Sequence, residues 1–386
     1  VTQTIGLLAG TTYHATITLG SSAGLAAVAV TFHILPPQGV ALVTLDAADD
    51  HTCGRTNGGT AYCWGNNSSG GLGDGTTTAR LLPTPVTGGL TFVDVATGSF
   101  HTCGRISGGV AYCWGFNNGA LGDGTRMGRL APTPVTGGLA FVEVSAGGIH
   151  TCGRISSGAA YCWGNNQNGG LGDGTTTERQ VPTPVTGGLT FARLSAGAYY
   201  TCGLTNTGAA YCWGYNFFGE LGDGSNTDRL VPTPVSVGLT FMQLTVQNSH
   251  TCGLTNSGAA YCWGLNFDGA LGDGTIIDRW VPTPATGGLM FVQLTVGFNH
   301  TCGLTSAGVA YCWGVNVSGQ LGDGTNVSRL VPTVVAGGLT FVEVSAGGYY
   351  TCGRTSAGGA YCWGDNSSGQ LGDGTTTDRR VPTLVK

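Results

Sequence analysis

Residues 141–189 read FVEVSAGGIHTCGRISSGAAYCWGNNQNGGLGDGTTTERQVPTPVTGGL, and a close copy of this stretch starts again about every 50 residues. Its His-Thr-Cys-Gly signature recurs at His51, His101, His150, His250 and His300, with Tyr200 and Tyr350 in the histidine place. Seven units follow one another from about Ala41 to Lys386. Each holds four strand-sized pieces separated by glycine clusters. In the last unit the first piece, Phe341 to Ser345, alternates apolar and polar residues. The second follows Tyr350 and carries a cysteine, and the third is Ala360-Tyr361-Cys362-Trp363. The fourth is short and proline-paired, as at Val181 to Val185. No stretch has a 3.6-residue apolar period, so no helix is expected.

Seven units of four short strands predict an all-β, seven-bladed propeller spanning 41–386, preceded by an N-terminal β-strand arm over 1–40. A linear solenoid is the competing geometry, but it needs polar, atypical end repeats, and the seventh unit ends without one. Prolines such as Pro182 and Pro184 suit the outermost strand of a blade, because proline cannot donate to a ladder and discourages stray pairing at an edge.

Two cysteines with nine residues between them occur in every unit. The pairs are Cys53 and Cys63, Cys103 and Cys113, Cys152 and Cys162, Cys202 and Cys212, Cys252 and Cys262, Cys302 and Cys312, and Cys352 and Cys362. A glycine-containing turn lies midway, for example Ser356-Ala357-Gly358. Two strands folding back there put the cysteines opposite each other, within reach of a disulfide. The spacing is too long for a zinc knuckle. One disulfide per blade predicts an oxidising compartment, hence a secreted or cell-surface protein.

The A-G-x-x-H-T-C and G-x-x-Y-x-W-G-x-N-x-x-G-x-L-G-D-G-T pattern resembles the regulator of chromosome condensation repeat family, over about 345 residues. The resemblance implies a seven-bladed propeller that acts mainly by binding proteins. Some members catalyse nucleotide exchange on a small GTPase, and a bacterial relative inhibits β-lactamase. Paired cysteines in every blade depart from the family pattern and argue against the nuclear exchange role.

Composition narrows the function further. Charged residues are 9% of the chain, the net charge is −5 and Lys386 is the single lysine, so no basic stripe exists for nucleic acid. No apolar run reaches the length of a membrane-spanning helix. Val1 begins inside β-like sequence, so an export signal is expected to have been removed or left out. Seven aspartates of Leu-Gly-Asp-Gly (Asp74, Asp123, Asp173, Asp223, Asp273, Asp323, Asp373) are each followed six residues later by an arginine (Arg80, Arg129, Arg179, Arg229, Arg279, Arg329, Arg379). A calcium loop or catalytic acid is one reading. A loop-closing ion pair needed once per blade is the favoured one, since a catalytic centre is singular. The seven tryptophans of Tyr-Cys-Trp-Gly are expected in the blade-to-blade core. The repeat histidines are expected to be structural, because tyrosine replaces two of them. No enzyme, metal or cofactor site stands apart from the repeat.

Positions that break the repeat are the pointers to function. After Cys-Gly, blades 1, 2, 3 and 7 carry Arg55, Arg105, Arg154 and Arg354, while blades 4, 5 and 6 carry Leu204, Leu254 and Leu304. In a closed ring these predict one basic and one apolar arc. The loop after Trp-Gly is polar in blades 1, 3 and 7, but blade 4 has Tyr215, Phe217 and Phe218, and blade 5 has Leu265 and Phe267, then Ile276, Ile277 and Trp280. These aromatic and apolar residues are the candidate protein-binding patch, with packing onto their own blade as the alternative.

The arm has two strand-like runs, Leu8 to Ile17 and a second with Val28, Val30, Phe32 and Ile34 on one face, ended by Pro36 and Pro37. It resembles the last two strands of a fibronectin type III domain, with Tyr13 as the corner tyrosine. Two strands alone are marginal in water. The arm is expected to be part of a longer chain, to help close its own ring, or to complete a sheet in the next subunit, which would build a filament. The expected function is an extracellular structural protein that self-assembles into a filament or surface layer. The alternative is a soluble module that binds or inhibits another extracellular protein. Sequons at Asn67, Asn299, Asn316, Asn326 and Asn366 permit glycosylation where the host performs it.

Overall fold

The computed structural model describes residues 12–21, 24–33 and 39–386. It contains seven four-stranded antiparallel sheets, the blades of a propeller, and one two-stranded hairpin. Blade 3 illustrates the plan: β11 (Phe141–Ala146), β12 (His150–Ile155), β13 (Ala160–Gly164) and β14 (Arg179–Pro184) pair in sequence order from the axis outward. The turn between β12 and β13 passes through Gly158 at φ 86°, which a side chain would strain. That turn sets the register so that Cys152 faces Cys162.

The same register puts a disulfide in every blade, with Cα atoms 4.1 Å apart in each. Cys53 is bonded to Cys63, Cys103 to Cys113 and Cys152 to Cys162. Cys202 is bonded to Cys212, Cys252 to Cys262, Cys302 to Cys312 and Cys352 to Cys362. All seven pairings are those expected from the spacing, and no cysteine among the described residues is left free. The outer strand begins at Arg179, two residues before the proline stretch, because Arg179 still pairs with Gly164. Its prolines lie on the free edge, where no ladder partner is lost.

The blades are joined by a hub that the sequence repeats seven times. The threonine of His-Thr-Cys is fully buried, and its hydroxyl donates to a carbonyl of the preceding blade at 2.8–2.9 Å: Thr102 to Gly71, Thr151 to Ala120, Thr52 to Gln370. With its proton committed, the oxygen accepts from histidine Nε2 of the preceding blade, as in His51 to Thr102 (2.9 Å) and His300 to Thr351 (2.9 Å). Where tyrosine replaces histidine, Tyr200 donates to the His250 carbonyl (2.8 Å) and Tyr350 to that of His51 (2.7 Å). Burial lowers the histidine pKa values to about 4 (His51, His150, His250) or about 3 (His101, His300), so the rings are neutral. Each histidine thus serves its neighbouring blade.

The tryptophans complete the junction. Trp114 packs on the Cys53–Cys63 disulfide, Leu72 and Phe92, and its Nε1 donates to the same Gly71 carbonyl at 2.9 Å. In each loop the aspartate binds its arginine, as Asp123 does Arg129 at 2.7 Å. Burial opposes ionisation of Asp123, but hydrogen bonds from Thr125 and Arg129 outweigh it and hold the carboxyl below its ordinary range. A buried asparagine, Asn117 in blade 2, ties the loop to the Asp123 carboxylate and to two loop carbonyls.

The ring closes without exchanging a strand. Blade 1 has β3 (Leu42–Ala47) to β6 (Arg80–Pro85), and blade 7 has β27 (Glu343–Ala346) to β30 (Arg379–Leu384), each complete from one stretch of chain. Leu42 N–H donates to Gly358 C=O, Trp64 to Gln370 C=O, and Val385 packs with Leu42 and Trp64. The expectation that the arm supplies a closing strand is therefore corrected: no blade lacks one. Among the described residues the arm is a hairpin, β1 (Thr12–Ser21) on β2 (Gly24–His33), paired only with itself. The side-chain readings for Tyr13 and for Val28, Val30, Phe32 and Ile34 lie outside the described residues.

One loop breaks the backbone rule of its neighbours. Val237 has φ 79° at a position where the equivalent turns use Gly88, Gly137, Gly187, Gly287 and Gly337. A β-branched residue is strained there, and its side chain is 64% exposed, so little packing offsets the strain. Val237→Gly is expected to stabilise the protein by about 1 kcal/mol, measured by denaturant unfolding under non-reducing conditions.

Candidate interaction surface

The predicted arcs after Cys-Gly do not form surfaces. Leu204, Leu254 and Leu304 are 3%, 0% and 3% exposed, packed against the first strand of the next blade, with Phe241, Phe291 and Phe341 beside them. They are removed from the candidate binding set, because a side chain inside a junction cannot meet a partner. Three of the four arginines face acids directly across the sheet, while Arg55 faces Thr44. Arg154 lies opposite Glu143 and Arg354 opposite Glu343, bonded at 3.0 and 2.9 Å, and Arg105 lies opposite Asp94. Each acid is raised above its ordinary range by burial, and the arginines pull against that rise. Where the second strand carries leucine, the facing residue is Arg193, Gln243 or Gln293, and the glutamines bond the next blade instead.

The axial channel, of about 410 Å³, is lined by the innermost strands. Its hydroxyls are used as stitches: Ser145 accepts from Ala196 N–H and Ser345 from Ala47 N–H, at 3.0 and 2.9 Å. Asp46 takes this place in blade 1 and accepts from Thr97 N–H (2.7 Å) and Oγ1 (2.9 Å), while burial raises its pKa to about 7. Gln247 reaches from blade 5 to Asp49 of blade 1 at 3.2 Å.

The aromatic positions behave differently. Phe217, Phe267, Ile276, Ile277 and Trp280 are exposed, and Tyr215 and Phe218 are half-buried. Tyr215 stacks on Phe217 (centroids 6.5 Å apart), which meets Phe218 edge-on at 5.0 Å. Trp280 of blade 5 lies over Gly219 of blade 4, so close that a Cβ there would sit 2.5 Å from its ring. An exposed indole of blade 5 therefore sits against the loop that carries the blade 4 ladder. Within blade 5 the Asn266 amide bonds the Ile277 carbonyl at 3.1 Å, holding the Phe267 turn against the Ile276–Ile277 loop.

Sequence reasoning missed Tyr199, whose ring is 6.2 Å from Tyr215 and extends the ladder to four aromatics. The signal was present one residue before the His/Tyr position, where the repeat reads Asp50, Phe100, Ile149, Tyr199, Ser249, Asn299 and Tyr349. Phe100 pairs with Phe116 at the same 6.2 Å separation in blade 2. Of the five sequons, Asn67, Asn316 and Asn366 are buried loop-tying asparagines, closed to a glycan, whereas Asn326 is exposed.

Glu220 is the other missed residue. It sits beneath the ladder, 0% exposed, at a place that is Gly71, Ala120, Gly170, Ala270, Gln320 and Gln370 elsewhere. Burial raises its pKa from 4.5 to about 8, and Asp228 and Asp278 add to the rise. The folded protein therefore holds a proton that the unfolded chain releases above about pH 4.5, and this stability is lost as pH climbs through about 8. Glu220→Gln keeps the shape of Gln320 and Gln370 without the charge. It is expected to match the parent near pH 4.5 and exceed it by about 1 kcal/mol or more above pH 8, read from unfolding curves across that range.

Comparison with known proteins agrees with the geometry. The profile described as regulator of chromosome condensation (RCC1) repeat matches residues 58–104, 157–204, 207–254, 257–304, 307–353 and 357–386, more than half of the chain. A second profile of the same description matches 44–70, 141–169, 191–220, 291–320 and 341–370. No curated protein sequence matches. Among solved structures, human WBSCR16 is 21% identical with a TM-score of 0.77, over 85% of this chain and 94% of that one. Yeast RCC1 (Prp20), crystallised with Kap60, is 20% identical with a TM-score of 0.76, over 90% and 85%. The CRINKLY ectodomain of the Arabidopsis thaliana receptor kinase ACR4 is 22% identical with a TM-score of 0.54, over 83% and 95%. At these identities the structures share the fold alone. With the repeat matched unit after unit, and a ring of seven four-stranded blades beneath it, the chain belongs to the regulator of chromosome condensation (RCC1) repeat family.

Proposed function

We propose that this propeller is an extracellular interaction module that binds a protein partner through the aromatic surface of blades 4 and 5. The observation that carries the reading is the continuous run Tyr199–Tyr215–Phe217–Phe218, with Trp280 of blade 5 packed on the adjoining Gly219. Aromatic rings exposed next to one another on a rigid frame are the commonest anchors of protein interfaces. The seven buried disulfides suit an oxidising compartment. The repeat-bearing positions are used for joining blades, which leaves the departures from the repeat to carry specificity. Binding, not catalysis, is the role this arrangement favours.

Phe217 and Phe267 are 61% and 56% exposed, so their removal costs the fold little. Phe217→Ala combined with Phe267→Ala is expected to weaken capture of the partner from host extracellular extract by about tenfold or more, with an unchanged melting temperature. Equal capture by parent and double variant, or unfolding of the variant, would overturn the reading.

A second reading is self-assembly through the arm, favoured by the β1–β2 hairpin pairing only with itself among the described residues. A two-stranded sheet gains stability by adding a strand from another copy. Under this reading the full chain forms oligomers in light scattering, and deletion of residues 1–38 returns a monomer. A monomeric full chain ends it.

A further inference from the structure

The aromatic ladder roofs a pocket of about 240 Å³ between blades 3, 4 and 5, lined by Tyr199, Tyr215, Phe218, Asn168, Asn248 and Ser249. The equivalent site on blade 1 is a smaller recess of about 100 Å³, lined by Asp50, Asn66, Ser69, Ser99, Gly71 and Phe100 among others. Blade 4 puts Tyr199, Tyr215 and Phe218 where blade 1 has Asp50, Asn66 and Ser69, and Glu220 where blade 1 has Gly71. The Glu220 carboxylate is fully buried. Its Oε2 accepts from Phe218 N–H at 2.9 Å, and its Oε1 has no partner.

The repeat itself shows what neighbours this place in another blade. In blade 7 the side chain in the Glu220 place, Gln370, accepts from Ser368 N–H at 2.9 Å, and its other terminal atom donates to the Asp365 carboxylate at 2.6 Å. Asp365 holds the place of Tyr215. By the same placement Glu220 lies next to Tyr215, a wall of the pocket, without itself lining it. The surrounding charge is acidic. Asp228 accepts from the Asn168 side chain at 2.9 Å and from the Asn216 backbone N–H at 2.9 Å, while Arg229 and Arg279 are committed to Asp223 and Asp273 at 2.7 Å each. After burial, Glu220 and Asp228 are what hold the Tyr215 phenol above its ordinary range.

Rings whose faces carry negative potential, beside a buried acid with an unpartnered oxygen and further acids around it, form a receptor for an organic cation. We propose that the blade 4 pocket binds an alkylammonium group, such as a lysine side chain of the partner, between Tyr199, Tyr215 and Phe218 and above Glu220. The inference rests on the interaction surface described above and names the chemistry that surface selects. It also accounts for an acid at a place where the other blades carry only neutral residues.

The test uses the intact protein and saturation-transfer difference NMR above pH 8, where Glu220 is ionised. The probes are tetramethylammonium chloride and tert-butyl alcohol, a neutral molecule of similar shape. Tetramethylammonium is expected to bind more tightly than the alcohol, and to lose about tenfold or more in affinity in both Glu220→Gln and Tyr215→Ala. The glutamine variant preserves the local hydrogen bond, so its folding is secure even where Tyr215→Ala fails to fold. Equal binding of the two probes, no binding of tetramethylammonium, or unchanged affinity in Glu220→Gln overturns the cation site. Partner capture that still depends on Phe217 and Phe267 would then leave the interaction surface standing without it.

Discussion

A single hydroxyl per blade sets the architecture. The threonine of His-Thr-Cys is the point where two blades meet, donating to a carbonyl of the blade before it and, at five of the seven junctions, accepting from the histidine of that same blade. Both bonds are buried, so leaving either unmade would strand a polar group without water. Neighbouring blades can therefore dock in only one relative position. Repeated seven times, that constraint closes a ring. The tryptophan beside it fills the same junction and in five blades shares the same acceptor. The disulfide lies under that tryptophan, so the covalent and non-covalent parts of each junction support one another.

The period, the strand count and the cysteine register were legible because each is a local pattern repeated many times. The prolines of the outer strand were legible for a related reason, since a missing donor is tolerated only at an edge. The residues after Cys-Gly were misread because they were compared with one another along the repeat and not with their partners across the sheet. Arg154 has Glu143 opposite and Leu204 has Arg193 opposite, a compensation that appears only when two strands are read together. Tyr199 was overlooked because it lies in a different loop from Tyr215, and only the fold brings the two rings together. Glu220 looked like one more polar residue in a glycine-rich loop until its burial was known.

A symmetric frame makes asymmetry easy to interpret. In this ring the parts that must be the same in every blade are buried at the junctions, and the exposed loop positions are free to vary. Variation concentrates in blades 4 and 5: four aromatic rings in succession, a buried acid, a long glutamine reaching the opposite side of the axis, and a valine held at positive φ. One sector of the ring has diverged while its scaffold was kept.

Because every blade is complete in itself, the ring has a seam between blades 7 and 1 that no shared strand and no disulfide crosses. Gly39 lies against Val385, so both ends of the propeller enter at that seam. A tensile load applied through the two ends falls on this one junction, whose contacts are all non-covalent, while within each blade the two central strands stay cross-linked. The molecule is thus built to part like a clasp, from ring to open arc, with its blades intact on either side of the break.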